Sequence, residues 1–291
     1  MNSNYRLIKG YKDNTDLRKS FNDLAKSVYG FDFEDWYQNG YWNDNYIPYS
    51  ILDKGKVVAN VSVNPMQFFH GNKLHTYIQL GTVMTDKAYR NKGLIRRLIE
   101  EIEQDYKEKT EGYFLFANDS VLEFYPKFGY KKATEYEYLK SVSNNTEMTA
   151  KRISMEEKEN RSRLERAINT SAVQSGMAMK ENAALILFYA TKFMKENVYE
   201  IESQSALVIA ELNKGVLHLH NIFAPKEVEI DTITAAFGKE VTSVVLGFAP
   251  LSGEGYEVRE NQEEDTTLFI KGTPLEEIER ERLRIPALSH T

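Results

Sequence analysis

The stretch MTDKAYRNKGLIRRLIEEIEQDY, residues 84–106, constrains the fold most. It leaves a long apolar run, crosses a polar loop holding a single glycine, Gly93, and becomes an amphipathic helix candidate. Leu94, Leu98, Ile102 and Tyr106 recur at a spacing of four and make one stripe of a helix. The first N–H groups of a helix lack intrahelical partners and point outward at the positive end of its dipole. A glycine at the neck of a strand-to-helix loop lets that backbone approach a bound anion. Arg90 and Lys92 add charge beside it, and the spacing suits a phosphate or pyrophosphate. Taken alone, the loop reads more simply as a solvated connection, because a lone glycine is a weak signal. Neither G-x-x-x-x-G-K-S/T nor G-x-G-x-x-G is present.

The surroundings give the loop a context. Residues 5–9 read as an opening strand, followed by a helix capped by Asn14 or Thr15 and closed by Gly30. YSILD and KVVANVSV flank the turn Asp53-Lys54-Gly55, and MQFFH and LHTYIQLGTVMT flank Gly71-Asn72-Lys73. This predicts an antiparallel meander ending in a long strand. YFLFAN after the amphipathic helix is a short apolar strand, as inside a sheet covered on both faces. DSVLEFYPKF reads as a short helix and KKATEYEYL as a closing strand. The polar stretch 141–150 is the expected linker. Beyond it come a charged helix, a second helix in ENAALILFYATKFMKEN, and a hairpin across Asn213-Lys214-Gly215. A helical run from residue 227, the strands TSVVLGF and TTLFIKG, and a charged tail helix ending before Pro286 complete the chain.

Composition narrows the function classes. The chain has 291 residues, which favours two domains. It holds no cysteine, which excludes disulfides, thiolate metal sites and a thiol nucleophile. A net charge of -6, with dispersed Lys and Arg, argues against a nucleic-acid partner. The longest apolar run, AALILFYA, is far short of the ~20 residues that span a bilayer, and the start lacks a signal-like apolar core. A soluble, cytoplasmic protein with no membrane partner is the expectation.

GTVMTDKAYRNKGLIRRLIEEI followed by FLFANDSVLEFYPKFGYKK resembles the core of the GNAT superfamily of acetyl-CoA-dependent N-acetyltransferases. That family writes its cofactor loop as Q/R-x-x-G-x-G/A. Arg90, Asn91, Lys92, Gly93 and Leu94 fit the first five places, while Ile95 departs from the small residue usual at the sixth. A later Y-x-K-x-G-F/Y signature matches Tyr125, Lys127, Gly129 and Tyr130. The resemblance covers about residues 5–140 and is strong from 81 to 131. It implies a fold of the α/β (α+β) class: a GNAT-like mixed, mostly antiparallel sheet flanked by helices, followed by a second, smaller GNAT-like α/β domain. It further implies acetyl-CoA as acyl donor, with Arg90, Asn91, Lys92, Gly93, Leu94 and Ile95 cradling its pyrophosphate. Val83 and Met84 would pair with the pantetheine arm, and Asn118 would contact it. Tyr125 would protonate the leaving thiolate, a general-acid role; without the family it reads as a packed aromatic beside Phe124 and Phe128.

The general base is open. His75, sharing a strand face with Tyr77 and Gln79, reads more simply as a hairpin-end residue. The aromatic and acidic segment 31–45 could hold a cationic amine through Asp32, Glu34, Asp35 and Asp44 among its rings, or pack on the sheet with its acids in water. His218 and His220 share one strand face without an evident third metal ligand, so no metal is expected. The second half has acidic Glu227 and Glu229 where a basic cradle would stand, and resembles the degenerate half of tandem members such as multi-acetylating aminoglycoside acetyltransferases. The expected domains are 1–140 and 151–291. The leading reading is an N-acetyltransferase acting on a primary amine of a small molecule, less readily of a protein, as monomer or homodimer. The alternative is a non-catalytic acyl-CoA-binding or interaction module on the same scaffold.

Overall fold

The computed structural model describes residues 5–290. Thr291, at the end of the expected second domain, lies outside the described residues. The chain divides into two compact units, one of Met1–Met66 and Thr76–Phe116, the other of Gln67–His75 and Ala117–His290.

The first unit holds β1 (Arg6–Lys9), α1 (Thr15–Tyr29), α2 (Glu34–Gln38), β2 (Ile47–Asp53), most of β3 (Lys56–His70) and of β4 (Lys73–Thr85), α3 (Leu94–Tyr106) and β5 (Gly112–Ala117). Strands follow the order β1-β2-β3-β4-β5. β1, β2 and β3 pair antiparallel, and β4 and β5 pair parallel across α3. The hairpin between β2 and β3 turns on Lys54 and Gly55, at φ 49° and 80°. Two positive φ values match the right-handed strand twist, and glycine adopts the second without cost. Asn14 caps α1 by accepting from the Leu17 amide at 3.1 Å, and Gly30 closes it at φ 81°. Phe21, Leu24 and Ala25 are the buried face of α1.

β3 is one strand where the sequence pattern suggested two runs broken near Pro65. The reason lies in its partners. β2 pairs with β3 from Lys56 to Val63, and the later strand β9 pairs with it from Phe68. Pro65 falls in the gap, where that edge needs no ladder donor.

The second unit continues with β6 (Lys131–Lys132), β7 (Tyr136–Ser141), β8 (Lys151–Arg152), α4 (Lys158–Thr170), β9 (Met177–Met179), α5 (Ala183–Lys192), β10 (Val198–Ile201), β11 (Ala206–Asn213), β12 (Val216–Phe223), α6 (Ile230–Ala235), β13 (Ser243–Leu246), β14 (Glu257–Glu260), β15 (Thr267–Lys271) and α7 (Glu277–Arg280). Seven strands form a sheet in the order β14-β7-β13-β12-β11-β10-β8, antiparallel except for β12 with β13. β15 pairs with β6.

Three expectations need correction here. KKATEYEYL is two strands, because Glu135 turns inward at 5% exposure and its carboxylate accepts from the Ile285 amide at 2.8 Å. DSVLEFYPKF is two separate 3-10 turns, Asp119–Val121 and Tyr125–Phe128, since Pro126 supplies no amide for a continuing helix. The tail is not a long charged helix. α7 spans four residues, Arg282 turns at φ 53°, and Leu283, Ile285 and Leu288 are buried.

Candidate active site

β4 and β5 keep parallel register only from Tyr77 with Gly112 to Gln79 with Phe114 among the described residues. Past that point β4 carries a distortion at Thr82, whose φ is 45°. A β-branched residue in left-handed backbone costs about 1–3 kcal/mol and persists only where neighbours hold it. Asn60 donates its amide to the Thr82 carbonyl at 2.9 Å, and the Tyr46 hydroxyl meets Thr82 Oγ1 at 2.6 Å. Asn60 also donates to Ser62 at 3.0 Å and accepts from Ser50 at 2.8 Å, and Ser50 meets the Tyr11 hydroxyl at 2.6 Å. All six residues are buried, so every polar atom in this chain needs its partner. Sequence reasoning did not single out this network. Its one visible signal was Asn60, Ser62 and Asn64 alternating with valine and alanine on a strand.

The loop after β4 is pinned at both ends. The Asp86 amide donates to the Val58 carbonyl at 2.9 Å, and Asp86 accepts from the Ala88 amide at 2.8 Å. The Tyr89 hydroxyl donates to Asp53 at 2.7 Å, and Lys92 Nζ lies 4.5 Å from the Tyr89 ring centre. Asn91 and Gly93 both take positive φ, 61° and 73°, and Gly93 is the cap of α3. An added Cβ on Gly93 would meet nothing within 4 Å, so backbone conformation rather than crowding selects glycine.

α3 begins in an unusual electrostatic state. No side chain caps it, and its first turn carries no acidic residue. The Arg97 amide donates to the Gly93 carbonyl at 3.2 Å. Acidic residues ordinarily favour this end, and here the sequence around it carries Arg90, Lys92, Arg96 and Arg97 instead. The Leu94 and Ile95 amides stand at a positive dipole end, an arrangement that suits an anion. Leu94 is buried at 5% exposure and anchors the turn, while Ile95 is half-buried. Ile95 therefore leaves its amide at the helix start. Of the strand residues, Met84 faces the core at 2% exposure, and the Val83 carbonyl already accepts from the Tyr29 hydroxyl at 2.8 Å.

Asn118 and Tyr125 belong to the second unit. Asn118 is exposed, and its carbonyl accepts from the Val121 amide at 3.0 Å. Tyr125 opens a 3-10 turn and packs against Phe124, Phe269 and Tyr130 at ring distances of 5.3, 5.7 and 6.3 Å. Burial pushes its hydroxyl up to about 12, so the phenol keeps its proton at neutral pH. The contacts show the ring held as a packed aromatic.

The segment 31–45 packs inward. Phe33, Trp36, Trp42 and Tyr46 form a buried cluster with Phe21, the Trp42 ring lying 5.3 Å from Phe21 and 5.2 Å from Tyr46. Its acids are largely taken. Glu34 accepts from Arg18 at 3.1 Å and Asn22 at 2.9 Å, Asp32 pairs with Lys26 at 3.4 Å, and Asp44 pairs with Lys12. The Arg18 hydrogen bonds hold the Glu34 carboxyl below the usual glutamate range. Arg18 also supplies the cation on an aromatic face, 3.7 Å from the Tyr37 ring centre. His75 lies near the hairpin end of β4, its ring 6.2 Å from that of His70. His70 in turn meets Glu281 at 2.8 Å and Glu277 at 3.3 Å.

Residues 13–133 match the family profile described as acetyltransferase (GNAT) domain. No curated protein matches the chain by sequence. A conserved protein of unknown function from Enterococcus faecalis V583, described as a probable N-acyltransferase, superposes with TM-score 0.61 at 17% identity, over 93% of this chain and 73% of that one. A GCN5-related N-acetyltransferase from Kribbella flavida superposes with TM-score 0.58 at 14% identity, over 92% and 70%. One from Anabaena variabilis ATCC 29413 gives 0.56 at 12% identity, over 92% and 72%. At such identities the likeness is one of fold. The chain has a GNAT-like mixed α/β fold, with two mostly antiparallel sheets, along most of its length. No helix among the described residues is long and apolar enough to cross a membrane.

Proposed function

We propose that the protein transfers an acetyl group from acetyl-CoA to a primary amine of a small molecule. The observation that carries this reading is the start of α3: uncapped, free of acid in its first turn, bordered by Arg90 and Lys92, and fed by a loop held in left-handed backbone at Asn91 and Gly93. Arg90, Asn91, Lys92, Gly93, Leu94 and Ile95 would take the donor's pyrophosphate on backbone amides and side-chain charge. The end of β4 at Val83 and Met84, past the last β5 partner, would run beside the pantetheine arm, and Asn118 would contact it. The amine nitrogen attacks the thioester carbonyl, the C–N bond forms, and the C–S bond breaks. Tyr125 gives its proton to the departing thiolate, and the proton lost by the amine passes to solvent.

The arrangement of residues 1–140 as the transferase domain and 151–291 as a degenerate counterpart belongs to the same reading. A repeated motif supports it: β4, α3 and parallel β5 in one unit, and β12, α6 and parallel β13 in the other. Glu229 stands at the cap position of α6 and Asp231 in its first turn, an acidic end unsuited to a phosphate.

The test is thiol release. Because the chain has no cysteine, a disulfide reagent such as Ellman's reads free CoA without protein background. Turnover with one or more members of a broad panel of primary amines supports the proposal. Tight acetyl-CoA binding with no thiol release from any amine would make the chain an acyl-CoA-binding module instead.

A further inference from the structure

Asn60 lies in β3 with its side chain fully buried, and both ends of its amide are used. Oδ1 accepts from the Ser50 hydroxyl at 2.8 Å. Nδ2 donates to the Thr82 carbonyl at 2.9 Å and to Ser62 Oγ at 3.0 Å. The Thr82 carbonyl can only accept, so the nitrogen of the carboxamide must face it. An aspartate of the same shape would set a carboxylate oxygen against that carbonyl. From the other side the Tyr46 hydroxyl meets Thr82 Oγ1 at 2.6 Å. Two buried side chains therefore grip one residue in a left-handed backbone, φ 45°, that threonine does not hold unaided.

The consequence falls on the next peptide unit. A trans peptide is planar, and its C=O and N–H point opposite ways. Asn60 draws the Thr82 carbonyl to itself, so the Val83 N–H is turned away from Asn60. Strand alternation gives the same direction. The Asp86 amide bonds the Val58 carbonyl of β3 at 2.9 Å, so the backbone of Met84, two residues back, faces β3 and that of Val83 faces the opposite edge. On that edge the register with β5 ends at Gln79 and Phe114 among the described residues. The Val83 carbonyl is taken there by the Tyr29 hydroxyl at 2.8 Å, and the Val83 N–H lies on the same open edge.

We propose that Asn60 and Tyr46 are positioning residues for the acyl donor. They hold Thr82 in its left-handed conformation and so aim the Val83 N–H at a carbonyl oxygen of the pantetheine arm. Neither side chain touches the donor; both act through the peptide between Thr82 and Val83. The inference rests on the transferase reading, in which Val83 lies beside that arm.

The test is calorimetric titration of acetyl-CoA into the full chain, with Tm read in parallel. Asn60→Ala is expected to weaken binding about tenfold, the worth of one hydrogen bond. Adding Thr82→Gly to it restores most of the lost affinity, because glycine takes positive φ without support. The Tm is not restored, since the packing and the bonds that Asn60 gave to Ser50 and Ser62 stay lost. A network with a structural role alone would leave the affinity of the double variant as low as its Tm. Tyr46→Phe removes one hydroxyl, keeps the ring, and weakens binding in the same direction, which decides the matter if Asn60→Ala does not fold. Native affinity in folded Asn60→Ala or in Tyr46→Phe, or a double variant that binds no better than Asn60→Ala, overturns the proposal and leaves the transferase reading standing. No binding of acetyl-CoA by the native chain overturns both.

Discussion

His220 makes the stability of the second unit depend on pH in a direction that can be worked out. Its pKa is about 4 in the folded chain, against 6.5 when unfolded. Between those values the unfolded chain binds a proton that the folded chain refuses, so stability falls as pH drops from 6.5 toward 4 and then levels off for this group. A difference of about 2.5 units at about 1.36 kcal/mol each gives a loss of about 3 kcal/mol. Burial pushes His290 down to about 3, so it adds a loss of the same sign that continues to lower pH. His220→Phe isolates one share, because phenylalanine does not titrate. Both tryptophans, Trp36 and Trp42, sit in the first unit, so their fluorescence does not report on this one. Hydrogen exchange of the β11 and β12 amides does. Measured at pH 7.5, 6.5, 5.5 and 4.5, the variant is expected to gain on the native chain by about 2.5 kcal/mol across the series. Parallel loss of protection in native and variant chains would refute the reasoning.

Other outcomes follow from single side chains. Tyr125→Phe is expected to lower kcat about 10²–10⁴-fold while leaving acetyl-CoA affinity and Tm nearly unchanged; a variant with full kcat would remove the acid role. Ile99→Ala opens a cavity under α3, where Ile99 is fully buried, and is expected to cost about 2–5 kcal/mol in urea unfolding followed by tryptophan fluorescence. Arg18→Met removes the bonds to Glu34 and to the Lys12 carbonyl, and is expected to cost about 1–3 kcal/mol, reduced from a fully buried pair because Glu34 is 38% exposed. In the same variant Glu34 loses the partner that lowers its pKa. The native chain's added stability above the usual glutamate pKa, lost as acid titrates the lowered one, then disappears, so the two chains converge at low pH.

Turn chemistry and long periodicity were the legible parts of this chain. Asp53-Lys54-Gly55 and Asn213-Lys214-Gly215 each place two successive residues at positive φ, and both hairpins were read from those letters. The stripe of Leu94, Leu98 and Ile102 is buried as its spacing required. Val28, four residues beyond Leu24, is 36% exposed, so the stripe of α1 stops a turn early. Strands of two to four residues, such as β8, β9, β10 and β14, are too short to show a period. Asn60 and Ser62 were illegible for another reason: alternation marks an exposed face, but here both faces of β3 are covered and the polar atoms satisfy one another. Residues 31–45 show the limit for function. Their acids and rings suggested a cation site, and the chain's own Arg18, Lys26 and Lys12 occupy most of those acids.

The loop between β4 and α3 is where the whole account is most exposed. Calorimetric titration of acetyl-CoA into the native chain and into Arg90→Glu with Lys92→Glu tests it directly. Both side chains are on the surface, so the fold should survive the reversal. Micromolar binding by the native chain, weakened at least about tenfold in the variant and more strongly at low salt, is expected. Binding that ignores the reversal, or no binding by the native chain, would contradict a pyrophosphate cradle at the start of α3.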